Sequence, residues 1–65
     1  MDPLKISLKA ARVNAGMTQE EVAKMVGKGK QTIVNWENGK TAIPAVELQK
    51  LCKLYKMPLD YIFLP

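Results

Sequence analysis

The stretch from Thr18 to Asn38, TQEEVAKMVGKGKQTIVNWEN, constrains this chain more than any other. Thr18 followed three positions later by Glu21 forms a capping box, in which each side chain satisfies a backbone N–H of the other and so starts a helix. Val22, Ala23 and Val26 supply its inner face. Gly27 ends it after about two turns, because glycine takes the left-handed conformation a helix terminus needs. A second helix is expected from about Lys30 to Asn38, with Gly39 as terminator and with Ile33, Trp36 and Glu37 directed inward. Two helices this short, joined by so tight a turn, cannot lie antiparallel and must cross at a steep angle.

The flanking segments also read as helical. Asp2 and Pro3 suit a helix start, and Leu4, Leu8, Ala11 and Ala15 follow at helical spacing until Gly16. Pro44 opens a fourth helix whose Leu48, Leu51, Cys52 and Tyr55 make a core face. Pro58 opens a last short helix with Leu59, Ile62 and Phe63 on one side and Tyr61 and Leu64 on the other. No segment shows the alternation of a half-buried strand, and neither a repeat nor a Gly/Ser linker divides the chain. The expected fold is all-α: one domain over residues 1–65, a compact five-helix bundle in which helices 2 and 3 make the steep pair.

At 65 residues, the chain has room for one core and no separate catalytic module. With 48% hydrophobic and 25% charged residues it has the balance of a globular protein. Cys52 alone excludes an intramolecular disulfide, reads as a small buried hydrophobe and suits a reducing cytoplasm. The N-terminal MDPLKISLKA lacks the apolar region of a signal peptide, and no run has membrane length, so a cytoplasmic protein without a membrane partner is expected. There is no His, no base partner for Cys52, no phosphate-cradling glycine loop and no metal-ligand cluster, so neither an enzyme, a cofactor nor a small-molecule substrate is expected. The net charge is +4. Lys24, Lys28, Lys30 and Lys40 lie in or beside the central stretch, where the only acid beyond Lys24 is Glu37. That field favours a polyanion, although charge alone fits solvated surface lysines equally well.

A steep pair of this kind is the helix-turn-helix, whose second helix enters the major groove of DNA. Ala23 falls where the two helices approach most closely, Gly27 makes the turn, and Ile33 anchors the second helix to the core. The segments ARVNAGMTQEEVAKMVG, QTIVNWENGKT and PLDYIF resemble the lambda-repressor-like family of bacterial and phage regulators, the Cro/CI or Xre type, over nearly all of the chain. PLDYIF looks like the short fifth helix of these repressors. The resemblance implies sequence-specific binding of double-stranded DNA by a transcription regulator. It further implies a repressor bound to a palindromic operator as a homodimer, in a bacterial nucleoid or the cytoplasm of a phage-infected host.

The resemblance also implies residue roles. Gln19 would clamp a phosphate at the start of the second helix, aided by the helix dipole. Lys30, Gln31 and Asn35 would read bases: Gln and Asn suit the N6/N7 edge of adenine, and Lys the O6/N7 edge of guanine. Thr32 would touch a phosphate, and Val34 would pack on a thymine methyl or simply be exposed. Asn38, Lys40 and Thr41 would meet phosphates, together with backbone N–H groups of that segment, and so would Lys28 in the turn. Arg12 and Glu37 occupy positions that pair in several relatives, a structural ion pair fixing the angle of the reading helix. Met57, Tyr61 and Leu64 are candidates for a dimer face, with closure of the core as the other reading of Leu64. Plainer readings stand beside these: Gln19 as a good helix former, and Lys30 and Lys40 as solvated. The alternative function is an antitoxin-like or coactivator-like protein-interaction module.

Two departures from the family pattern stand out. Lys28 and Gly29 replace an apolar residue and a Ser or Thr cap ahead of the reading helix, leaving its first turn with a weaker cap. Ala42, Ile43 and Ala45 stand where some relatives carry an arginine for the minor groove.

Overall fold

A computed structural model describes residues 5–65. In chain order these form β1 (Ile6–Ser7), α1 (Leu8–Asn14), α2 (Gln19–Val26), α3 (Lys30–Asn38), α4 (Ala45–Tyr55), a 3₁₀ turn (Leu59–Tyr61) and β2 (Ile62–Phe63). The domain is mostly helical, with four α-helices among the described residues rather than the five expected.

The central pair follows local chemistry. Thr18 N–H donates to Glu21 Oε1 at 2.8 Å and Glu21 N–H to Thr18 Oγ1 at 3.1 Å, closing the capping box at the start of α2. Gly27 ends α2 with φ +71°, and the next N–H, that of Lys28, donates back to Ala23 O at 2.8 Å. Gly29 caps α3 without a side-chain hydrogen bond, so the first turn of α3 lacks the hydroxyl that Ser or Thr would offer. Gly39 ends α3 at φ +73° and is doubly constrained: a Cβ there would come within 3.0 Å of the Pro65 ring.

Both ends of the chain differ from expectation, and for one reason. Ile6 and Ser7 are extended and pair in parallel with Ile62 and Phe63. Helix α1 therefore begins only at Leu8, where the Ser7 hydroxyl accepts the Ala10 N–H at 3.0 Å. The Asp2–Pro3 start and Leu4 lie outside the described residues. At the other end the expected fifth helix is a single 3₁₀ turn after Pro58, because pairing holds Ile62 extended immediately afterwards. Its expected apolar side separates: Ile62 is buried, whereas Leu59 and Phe63 are about half exposed.

One core joins these elements. Leu8 and Ala11 from α1, Val22 and Ala23 from α2, Ile33 and Trp36 from α3, Leu51, Cys52 and Tyr55 from α4, and Ile62 from β2 are all buried. Ala15 is exposed beyond the end of α1, and Leu48 is only partly buried. Helices α2 and α3 make the most extensive contact between elements, and Ala23 of α2 and Ile33 of α3 are 4% and 1% exposed. Burying Ile33 and Trp36 fixes which face of α3 is left to the surface.

Candidate nucleic-acid interface

That outer face carries Lys30 and Gln31, both exposed, and Thr32, Val34 and Asn35, all half-buried. Gln31 and Asn35, one helical turn apart, are joined: Gln31 Nε2 donates to Asn35 Oδ1 at 3.0 Å. Lys30 Nζ lies 3.9 Å from Glu20 Oε1, with 56% and 75% of the two side chains exposed, a contact that water largely screens.

Behind α3 sits a polar cluster that ties three helices together. Arg12 Nε donates to Glu37 Oε2 at 2.8 Å and Nη2 to Oε1 at 3.4 Å, while Nη1 donates to the Met17 carbonyl at 2.8 Å. Arg12 thus links α1, the turn before α2, and α3. Gln19 enters the same cluster, its Nε2 donating to Glu37 Oε1 at 3.0 Å. Sequence reasoning placed Gln19 at a phosphate and did not connect it to Glu37; nothing in the spacing reveals that contact. An amide nitrogen carries two hydrogens, so one is left after this bond. The Tyr55 hydroxyl is buried without a hydrogen-bond partner, and burial, then the charge of Glu37, push its pKa up to about 12.

Lys28 has a partner of its own. Its Nζ lies 3.7 Å from Glu47 Oε2, and Lys50 Nζ approaches the same oxygen at 3.8 Å. The Glu47 side chain is 11% exposed, and its Oε1 is buried with no hydrogen-bond partner. Glu47 escaped the sequence reading, which took the face of α4 as purely apolar. Its place in the first turn of α4 suits an anion near the helix N-terminus.

Asn38, Lys40 and Thr41 are exposed just past α3. The N–H groups of Gly39 and Lys40 are already bonded to carbonyls of α3, that of Lys40 to Asn35 O at 2.9 Å. Backbone donation to phosphate from these two residues is thereby corrected, and their segment is left to present its side chains. In the C-terminal segment, Tyr61 and Leu64 are exposed together with Leu59 and Phe63, whereas Met57 packs against the core. Leu64 stays 48% exposed and so does not close the core.

Among the described residues no helix is long and apolar enough to cross a membrane. No curated protein matches the chain. A helix-turn-helix family model matches residues 8–62, from the first residue of α1 to the first residue of β2. With that match across its four helices, and with α2 and α3 in contact on either side of the turn that begins at Gly27, the chain belongs to the lambda-repressor-like (Xre-type) helix-turn-helix family of DNA-binding regulators.

Proposed function

We propose that this protein is a sequence-specific transcription regulator that lays α3 in the major groove of double-stranded DNA. The observation that carries this reading is the outer face of α3. Lys30, Gln31 and Asn35 stand on it, and buried Ile33 and Trp36 with the Arg12–Glu37 pair hold it from behind. In this reading those three residues reach base edges. Gln19 uses its remaining amide hydrogen on a phosphate, and Thr32, Asn38, Lys40 and Thr41 set the register on the backbone. Lys28 joins them when it leaves Glu47.

A reading helix of this length spans only a few base pairs, so useful specificity calls for two half-sites about 34–36 Å apart. We assign a homodimer on a palindromic operator, acting in the bacterial nucleoid or an infected host's cytoplasm. Its contact lies through Tyr61 and Leu64, extended by Leu59 and Phe63; Met57 supports this segment from the core side. Occupancy of an operator makes repression the simplest outcome. The test is binding to palindromic duplexes selected from a random pool, measured across salt and followed by sedimentation. Affinity falling steeply with salt and two protomers per duplex are expected. Salt-insensitive binding, or none, would favour a protein-interaction module instead, and one protomer per palindrome would remove the dimer.

A further inference from the structure

Three donors from two other elements converge on the Glu37 carboxylate. Arg12 Nε reaches Oε2 at 2.8 Å and Arg12 Nη2 reaches Oε1 at 3.4 Å, while Gln19 Nε2 reaches the same Oε1 at 3.0 Å. Only 4% of the Glu37 side chain is exposed, so water has little access to these bonds.

An ionised carboxylate accepts hydrogen bonds and cannot donate, and of the two ends of a Gln amide only Nε2 donates. Glu37 therefore selects the end of Gln19 that faces inward. It also orders a long side chain before anything binds, and ordering such a side chain at the moment of binding would otherwise cost affinity. Gln19 opens α2 and is only half-buried, so the amide that Glu37 holds stays at the surface. Arg12 cancels the charge of Glu37, and the cluster brings no net negative charge toward a duplex.

We propose that Glu37 is a positioning residue for DNA binding: neutralised by Arg12, it holds the Gln19 amide ordered in the free protein, with the remaining Nε2 hydrogen available to a backbone phosphate. This rests on the reading that α3 enters the major groove with Gln19 at the backbone. It goes beyond an Arg12–Glu37 pair that only fixes the angle of α3.

The test is a double-mutant cycle in DNA affinity, with the full chain on one duplex selected from a random pool, and with thermal unfolding showing that each variant is folded at the assay temperature. Gln19→Ala is made in wild type and in Arg12→Met/Glu37→Leu, which removes the acceptor and leaves the net charge unchanged. In wild type Gln19→Ala should weaken binding about 10-fold, the effect of losing one hydrogen bond to a charged group. In the Arg12→Met/Glu37→Leu background it should weaken binding only about 2-fold, because the amide must there be ordered on binding. The slope of log affinity against log salt should stay the same throughout, since no net charge is removed. Arg12→Met/Glu37→Gln returns a carbonyl acceptor, so Gln19→Ala should cost more in it than in the Leu background. It also carries the cycle if the Leu variant does not fold.

Equal losses from Gln19→Ala in every background would show that Glu37 acts only through the fold, and would overturn the positioning role. A slope shallower by about 0.9 per contact in the Arg12→Met variants would overturn it too, by making Arg12 itself a phosphate contact. No loss from Gln19→Ala in wild type would do the same while leaving DNA binding in place. Absence of duplex binding by wild type at any salt would instead remove the major-groove reading, and this inference with it.

Discussion

Arg12 Nε stands 2.8 Å from Glu37 Oε2, with only 10% and 4% of the two side chains exposed. Taking two charges out of water costs nearly as much as their attraction returns, but removing one strands the other. Arg12→Ala should therefore lower the unfolding free energy by about 3–5 kcal/mol, a large fraction of what a domain this small has. Arg12→Met combined with Glu37→Leu should recover most of that loss. Urea denaturation of the wild type, both single variants and the double variant checks this; losses that simply add would show that the two residues are not coupled.

Glu21 offers a pH-dependent counterpart at the start of α2. The backbone N–H of Thr18, and then its hydroxyl, hold this carboxyl below its ordinary value of 4.5. A depressed folded pKa means that the unfolded chain takes up the proton first as pH falls. The contribution of the ionised Glu21 carboxylate is thus complete above that ordinary value and disappears as pH drops through the lower folded one. Thermal unfolding followed from neutral pH into acid should show wild type losing stability faster than Glu21→Gln. Parallel profiles would mean that the charge of Glu21 adds nothing to stability.

Lys56 ends α4 in the left-handed region, with φ 54° and ψ 42°, where among the described residues every other positive φ belongs to glycine. A Cβ in that conformation costs about 1–2 kcal/mol. Lys56→Gly should recover as much as about 1 kcal/mol of this, because glycine loses more freedom on folding. For a domain of this size that raises Tm by about 4–8 °C. Lys53→Gly, inside the same helix and exposed, should instead lose about 1 kcal/mol. Calorimetry on both variants checks the opposite signs.

The bounds of α2 and α3 were legible because their determinants are local: a capping box at Thr18 and Glu21, left-handed glycines at 27 and 39, and apolar residues at helical spacing. The bond between Gln31 and Asn35 was not read from the sequence, although the two stand at i and i+4 of α3. The ends were not legible. Whether Ile6 begins a helix or a strand depends on Ile62 at the far end of the chain, and a two-residue ladder is too short to alternate. The partners of Gln19 and Lys28 were hidden for the same reason, since Glu37 and Glu47 reach them only after the helices have packed.

Lys28 and Glu47 set the last expectation. Lys28 Nζ cannot hold Glu47 Oε2 and a DNA phosphate fully at the same time, and Lys50 already stands 3.8 Å from the same carboxylate. Glu47→Gln removes the anion while keeping the shape of the side chain. It leaves Lys28, whose side chain is 40% exposed, free to turn toward the backbone of a duplex. One added phosphate contact steepens the slope of log affinity against log salt by about 0.9. Glu47→Gln should therefore bind more tightly at low salt with a steeper slope, and adding Lys28→Ala should cancel the change in slope. Equal slopes in wild type and Glu47→Gln would show that Lys28 stays off the phosphates whether or not Glu47 holds it.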